Sequence, residues 1–278
     1  MSVDFNAKIP EWWSYDSVAI TYDRMHVPHV FAQPARDLVA GLAMPAGGRV
    51  LDVGTGTGET ALQAIEALGP RNSIVGIDPS LEMLRLAQGK GLLRLVGGQV
   101  PGLPFPDSTF DGIMASFVLS HLSDYKTALL DMVRVLRGGG RLGVTVWGGP
   151  GKSQFARVWE ETAEAFVSKD RLSEASHRAI PWEEWFSEAT HLREALQDAG
   201  LLSVHVQDRE YRVSLTVADY LSIRETVVKG RFMRHTLGEV QWERFRERVA
   251  EEFQSRFQNP IEYTNEVLLA VGTMRTTS

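Results

Sequence analysis

Short apolar runs alternate with segments of helical spacing between residues 49 and 147. The runs at 49–53, 73–77 and 110–117 are almost free of polar residues, which is typical of strands buried on both faces of a sheet. Between them, apolar residues recur every three or four positions, which predicts amphipathic helices. The remaining predicted elements are strands at 92–96 and 142–147, a helix from Ser80 to Gln88, and a helix at 123–136 that ends at Gly138, Gly139 and Gly140.

Beyond residue 147 the pattern becomes mainly helical. Residues 152–200 and 216–258 have helical spacing, whereas 204–213 and 262–271 resemble strands. Strands that alternate with helices predict an α/β fold with a doubly wound, Rossmann-like sheet. We expect the sheet to be mostly parallel with an antiparallel last strand. The two helical blocks are then lid insertions over the sheet, one after the fifth strand and one before the last strand.

Composition narrows the possible classes of protein. The chain has 278 residues and no cysteine, which excludes disulfides, cysteine-ligated metals and a cysteine nucleophile. The formal net charge of −6 argues against a nucleic-acid partner. No apolar stretch reaches about 18 residues, so we expect no membrane span. The first residues are partly acidic and contain no apolar core, so they do not resemble a signal peptide. We therefore expect a cytoplasmic protein.

The most informative motif is VLDVGTGTGE, which begins at Val50. A glycine-rich turn between a strand and a helix lets a ligand approach the backbone and the free N–H groups of the helix. The glycines are spaced G-x-G-x-G, unlike the usual G-x-G-x-x-G of dinucleotide sites. Asp52 would repel a pyrophosphate but would attract an ammonium group. Asp78, at the end of the second strand, is placed to accept the hydroxyls of an unsubstituted ribose.

Five motifs in order resemble the class I S-adenosylmethionine-dependent methyltransferases, especially the ubiquinone/menaquinone-type branch that acts on small molecules. The resemblance covers about residues 15–147. Besides the glycine motif, it rests on VGIDPSLEMLRLA, LPFPDSTFD, FVLSHLSD and VRVLRGGGRLGVTVW. It implies an enzyme that transfers a methyl group from S-adenosylmethionine to an O, C or N atom of a small, apolar or aromatic metabolite.

The resemblance also implies a map of the cofactor site and of the domains. Two departures from the family pattern are Gln99, where an aspartate is usual, and Ser120, where the first of two histidines is usual. The map places the methionine part of the cofactor at Asp52, Gly54, Gly56 and Gly58, and the ribose at Asp78. It places the adenine at Pro79, Met83, Gln99 and Val100. The backbone near Ser116 would bind the amino group, and Tyr22 would cover the tail of the cofactor. The expected divisions are an N-terminal helical cover at 1–30, a cofactor-binding core at 31–147, a helical insertion with a return helix at 148–200, and the last two strands with a second insertion at 201–278, all within one catalytic domain.

Residues for the acceptor side are less clearly marked. His121 follows the fourth strand and is the best-placed candidate for a general base, although a histidine that only bonds the backbone and packs the start of the helix is favoured. His26 and Trp147 are candidates for substrate contact; for His26 and His29, a surface or hinge role is favoured. Most of the seven tryptophans are expected in the cores of the insertions. The basic stretch 229–235 is interpreted as a solvated mixed-charge face, and no metal constellation is evident.

Other functions remain open at this point. Methylation of RNA, DNA or protein is disfavoured by the acidic charge and by the lack of an Asn-Pro-Pro-Tyr-type segment after the fourth strand. A family member that binds the cofactor without transferring methyl groups is compatible with the fold. A dehydrogenase using NAD is disfavoured by Asp52 and the glycine spacing. The chain is expected to be a monomer or a homodimer.

Overall fold

The computed structural model describes residues 11–44, 46–149 and 153–276. Within this part of the chain, seven strands form one sheet in the order β3-β2-β1-β4-β5-β7-β6. Strand β7 pairs antiparallel with β5 and β6, whereas the pairs among β1 to β5 are parallel. This confirms the predicted α/β fold with its antiparallel last strand. The strands are β1 Arg49–Val53, β2 Ser73–Asp78, β3 Leu95–Gly97, β4 Phe110–Ser116, β5 Leu136–Trp147, β6 Leu201–Leu215 and β7 Ile261–Met274.

Helices cover both faces of the sheet and form the two predicted insertions. The N-terminal segment begins with the short turns Glu11–Trp13 and Asp16–Val18 and continues through a π-helix, Tyr22–Phe31. None of the helices in the described ranges is long and apolar enough to cross a membrane. The α-helices are α1 Ala19–Thr21, α2 Ala32–Leu42, α3 Glu59–Leu68, α4 Leu81–Gly89, α5 Tyr125–Val135, α6 Gln154–Glu164, α7 Lys169–Ala179, α8 Glu183–Phe186, α9 Ala189–Asp198, α10 Val217–Thr226 and α11 Val228–Arg256.

Two boundaries differ from the sequence prediction. The third strand was predicted to begin at residue 92, but it begins at Leu95. Leu92 lies before the strand, with its side chain in the core beside α3 and α4. The three glycines at 138–140 were predicted to end a helix. Helix α5 already stops at Val135, and the glycines lie inside β5. There β5 is out of step with β4: Phe110 pairs with Leu136, but Gly112 pairs with Arg141. The glycines therefore belong to an irregular start of the strand.

The insertions have a hydrophobic core of their own. Helices α6, α10 and α11 pack around a cluster that is separate from the two clusters on the faces of the sheet. Trp159 and Trp242 lie in it and are 1% and 2% exposed. This confirms the structural role expected for these two tryptophans. The insertion core also contains Val30 of the N-terminal segment, so the segment and the insertions pack as neighbours.

Candidate active site

The glycine turn after β1 forms the floor of a cleft at the carboxyl ends of the strands. Gly54, Gly56 and Gly58 have φ angles of 65°, 55° and 89°, which favour glycine at each position. A Cβ at Gly54 would lie 2.5 Å from Val118, and a Cβ at Gly58 would lie 2.4 Å from Leu92. The turn therefore requires glycine both for its backbone conformation and for its close packing.

Asp52 lies beneath this turn with one carboxylate oxygen unpartnered. It is 1% exposed, and its Oδ2 accepts a hydrogen bond from Thr55 Oγ1 at 2.7 Å. Its Oδ1 is buried and has no hydrogen-bond partner among the described residues. Burial, aided by the nearby charge of Asp78, raises the pKa of Asp52 to about 7. Such a carboxylate is poised to gain from a cationic ligand, because a buried anion is costly unless it is paired.

Asp78 ties the second strand to the glycine turn. Its Oδ2 accepts from the N–H of Gly56 at 2.8 Å, and its Oδ1 accepts from the N–H of Ser80 at 2.9 Å. Burial raises its pKa, and the nearby charge of Asp16 acts in the same direction. Each oxygen retains further acceptor capacity, because a carboxylate accepts about four hydrogen bonds. The N-terminal Asp16 reaches the same place by accepting a hydrogen bond from the Ser80 hydroxyl.

Four residues mapped to the adenine and one mapped to the amino group fall at the same end of the sheet. Met83 and Val100 are 3% and 9% exposed, whereas Pro79 and Gln99 are exposed. Ser116 ends β4, lines the cleft, and its Oγ lies 3.0 Å from Thr145 Oγ1 of β5. The adenine roles of Pro79, Met83, Gln99 and Val100 stay predictions.

The π-helix covers the cleft with aromatic rings. Tyr22, Val27 and Phe31 line it opposite the glycine turn and Phe117. The Tyr22 ring stacks on His26 and on Phe31, with centroids 5.0 and 5.4 Å apart. Tyr22 therefore lines the cleft, and its role as a cover over the cofactor stays a prediction. The described part of the expected 1–30 cover is helical, while residues 1–10 of that prediction lie outside the described residues.

His26 joins the cover to the second insertion. It is 7% exposed, and its Nε2 lies 2.6 Å from Thr226 Oγ1. Thr226 in turn donates to the carbonyl of Ile223 at 2.9 Å. Burial lowers the pKa of His26 to about 4. His26 is thus a buried connecting residue rather than a surface one, while His29 is exposed as expected.

His121 lies beside the cover, in the turn that follows β4. It is partly buried, and its ring packs edge-on against Tyr15 with centroids 5.8 Å apart. Burial lowers its pKa to about 4, and the charge of Arg231 acts in the same direction, while a hydrogen bond with the carbonyl of Ala179 opposes both. The imidazole is therefore neutral at pH 7, and its unprotonated nitrogen is able to accept a proton.

Trp147 borders the cleft through Phe117. Their ring centroids are 4.4 Å apart, and Phe31 contacts both rings. Phe117 has a φ angle of 56°, which is unusual for a residue with a side chain. Such strain often occurs at binding sites. Contact between Trp147 and a substrate stays a prediction. Phe117 also lines the cleft, although the sequence did not indicate it.

The basic stretch 229–235 is not a solvated face throughout, so that interpretation was wrong in part. Arg234 and His235 are exposed, but Arg231 is only 4% exposed and Met233 is fully buried. The Arg231 guanidinium carbon lies 4.1 Å from the centroid of the Tyr15 ring. The sequence did not single out Arg231 as buried. In a stretch of basic residues with acids nearby, the pattern does not distinguish a buried arginine from an exposed one. Among the described residues, no three His, Asp or Glu side chains are grouped so that they could hold a metal ion.

A family model described as "Methyltransferase domain" matches residues 51–144, from β1 into β5. Those residues carry the glycine turn, Asp52, Asp78 and Ser116. Residues 51–144, about a third of the chain, are similar to methyltransferase domains. The family resemblance seen in the sequence is thereby confirmed.

The curated relatives match less than half of this chain. Demethylmenaquinone methyltransferase of Geobacillus kaustophilus is 34% identical over 135 residues, which are 45% of this chain and 58% of the relative. The ubiquinone/menaquinone biosynthesis C-methyltransferase UbiE of Geobacter sulfurreducens is 34% identical over 131 residues, 45% of this chain and 51% of the relative. The chain thus spans a little over half the length of these relatives.

Solved structures share the fold over most of the chain. The YcgJ protein of Bacillus subtilis has a TM-score of 0.56 and 24% identity, and the match covers 88% of this chain and all of the YcgJ chain. Phosphoethanolamine N-methyltransferase 2 of Haemonchus contortus, solved with phosphomonomethylethanolamine and S-adenosylhomocysteine, has a TM-score of 0.60 and 14% identity. The match covers 97% of this chain and 61% of the Haemonchus contortus chain. At these identities the likeness concerns the fold.

Proposed function

We propose that the protein transfers the methyl group of S-adenosylmethionine to a small, apolar or aromatic molecule. The observation that carries this proposal is Asp52, a buried carboxylate with an unpartnered oxygen under the glycine turn of the methyltransferase domain. The free oxygen suits the ammonium of an amino-acid tail, and Asp78 suits ribose hydroxyls. When bound, the cofactor supplies a methyl group on a sulfonium sulfur. That sulfur leaves as a neutral thioether, so the leaving group needs no activation.

The chain then has to position the acceptor and, for an O–H, N–H or C–H acceptor, to remove a proton. His121 is the proposed base, because it lies in the turn after β4 against Tyr15 of the cover and its imidazole is neutral at pH 7. The alternative is that His121 only orders the turn after β4. Activity and cofactor binding in a His121 variant separate these two roles.

The proposed acceptor is small and apolar or aromatic for two reasons. The rings of Phe31, Phe117 and Trp147 form a continuous aromatic surface along the cleft. The curated relatives are named as methyltransferases of quinone compounds, which are also aromatic or quinoid small molecules. A macromolecular acceptor is the second candidate. A cytoplasmic location, the absence of a nucleic-acid partner, and a monomeric or homodimeric state stay predictions from the sequence.

Ligand choice tests the cofactor first. S-adenosylhomocysteine is expected to raise the Tm of the purified protein, while NAD is expected to leave it unchanged. The matched control is Asp78→Asn, which keeps the shape of the side chain but removes its charge. A Tm that responds to NAD and not to S-adenosylhomocysteine would contradict the proposed cofactor.

The acceptor class is tested with methyl-labelled S-adenosylmethionine and a bacterial extract. After incubation, the mixture is divided into a solvent-soluble and an acid-precipitable fraction. Label in the soluble fraction supports a small acceptor and provides the product for identification. Label in the precipitate favours RNA or protein as the acceptor instead.

A further inference from the structure

Arg231 is a buried cation without a carboxylate partner among the described residues. It is 4% exposed, and the one hydrogen bond that its guanidinium makes with the described residues runs from Nη1 to the carbonyl of Thr226 at 3.2 Å. Its Nε and Nη2 are buried and unpartnered. Arginine is almost never fully buried unless it is paired, because its five N–H donors lose their hydration.

Other shielded arginines of this chain have acidic neighbours. Arg224, on the preceding helix, lies over Trp159 and 3.8 Å from Glu160. Arg134 makes ion pairs of 2.8 Å with Asp107 and with Asp131. Arg231 is more buried than either, yet it is covered by the ring of Tyr15 instead of an acid. The residues that the structure describes therefore leave the Arg231 charge without a negatively charged partner.

The position of Arg231 links that demand to the acceptor side of the cleft. Tyr15, which covers the guanidinium, also packs against His121 and Tyr22, with centroids 5.8 and 5.9 Å apart. The charge of Arg231 acts on Tyr22, His26 and His121, so it lies within electrostatic reach of all three. Tyr22 is also within reach of the charge of Asp78, which accepts a hydrogen bond from the Gly56 N–H of the glycine turn.

We propose that Arg231 binds a carboxylate on an aromatic acceptor, and that this carboxylate takes the place of the Tyr15 ring over the guanidinium. The proposal rests on the proposed function, because it assigns the charge of the acceptor in the same cleft. A guanidinium suits such a group, since its planar fork donates two parallel hydrogen bonds to a carboxylate. The unpartnered Nε and Nη2 are adjacent donors of that fork.

The test compares acids with neutral amides of the same shape. Binding of benzoate, benzamide, 2-naphthoate and 2-naphthamide is measured by calorimetry on the full chain, with and without saturating S-adenosylhomocysteine. The wild-type protein is expected to bind at least one acid tenfold or more tightly than its amide. Equal binding of acid and amide, or no binding of either acid at millimolar concentration, would overturn the proposal.

Variants locate the preference on the molecule. Arg231→Met is expected to lose the preference for the acid while keeping its affinity for S-adenosylhomocysteine. Arg234→Met is the matched control, because Arg234 is an exposed arginine of the same helix, and its preference should equal that of the wild type. An unchanged preference in a folded Arg231→Met variant would also overturn the proposal. If that variant does not fold, Arg231→Lys keeps the charge without the fork and should bind the acid less tightly than the wild type.

S-adenosylhomocysteine distinguishes this failure from that of the proposed function. If the wild-type protein fails to bind S-adenosylhomocysteine, the proposed function is wrong, whatever the acids do. If S-adenosylhomocysteine binds and the acids are not preferred, only the role of Arg231 is wrong.

Discussion

Replacing Asp52 with asparagine should stabilise the empty protein at alkaline pH and weaken cofactor binding at the same time. The carboxylate is buried, and burial raises its pKa from 3.8 to about 7. Because this pKa is raised, the folded state holds a proton between about pH 4 and pH 7 that the unfolded state has released. The free energy of unfolding therefore falls as the pH rises through that window, and it stays low above pH 7.

The size of this effect follows from the shift. A difference of about three pH units corresponds to about 4 kcal/mol at about 1.4 kcal/mol per unit. Asparagine removes that cost and can still accept the hydrogen bond from Thr55. Its amide nitrogen takes the place of the unpartnered oxygen, which costs about 1–3 kcal/mol. The net gain above pH 7 is about 1–3 kcal/mol, and at about 2–4 °C per kcal/mol it raises the Tm by several degrees.

Calorimetry at pH 8 and pH 5, without ligand, measures this difference. Asp52→Asn should have the higher Tm at pH 8, and most of that advantage should disappear at pH 5, where the wild-type carboxyl is already protonated. Its affinity for S-adenosylhomocysteine should fall at least tenfold, because the charge that would meet the ammonium group is gone. A Tm difference that is the same at both pH values would refute the electrostatic reasoning.

Asp111 is a control of the opposite sign. Partial burial acts to raise its pKa, but hydrogen bonds from the Arg49 N–H and from Arg137, together with their charges, outweigh burial and lower the pKa. The stability that this carboxylate contributes is therefore present at neutral pH and is lost as the pH falls through its folded-state pKa. Asp111→Asn should lower the Tm at pH 8, where Asp52→Asn raises it.

Three further changes test separate parts of the site. Asp78→Asn should weaken S-adenosylhomocysteine binding at least tenfold by calorimetry, and unchanged affinity would remove Asp78 from the ribose site. Gly58→Ala should lower the unfolding free energy by about 1–3 kcal/mol, measured in urea, because the new Cβ meets Leu92 and the φ angle is 89°. His121→Ala should lower kcat about 10²- to 10⁴-fold with unchanged cofactor affinity if His121 is the base. Wild-type kcat should then show no loss from His121 protonation between pH 8 and pH 6, because its pKa is about 4.

The sequence predicted the half of the site that lies near strand ends. Asp52 and Asp78 end apolar runs, and parallel strands bring their carboxyl ends to one edge of the sheet. The glycine string between a strand and a helix fixed the position of the turn. These features depend on residues that are close in sequence, so pattern and spacing were sufficient to find them.

The other half of the site depends on contacts between distant segments. Asp16 meets Ser80, and Tyr15 meets Arg231, only because the N-terminal segment and the second insertion fold over the same edge. Helical spacing does not show this, because α11 bends at Gly238, where the backbone leaves helical geometry, and its faces cannot be followed along one regular helix. The strained backbone of Phe117 likewise has no counterpart in the sequence pattern.

The buried charges of the cleft are separated by sign, and this bears on the reaction. Asp52 and Asp78 bond residues of the glycine turn, whereas Arg231 lies under the Tyr15 ring of the N-terminal segment. Under both proposals, the acids meet a cationic ligand and the arginine meets an anionic one. Transfer of a methyl group from a sulfonium to an anionic oxygen removes one positive and one negative charge. Groups buried from water favour such a neutralisation, because separated charges are costlier there than in solvent. Under both proposals, the site therefore suits methylation of an anionic oxygen better than methylation of a neutral amine, which would leave a new positive charge near Arg231.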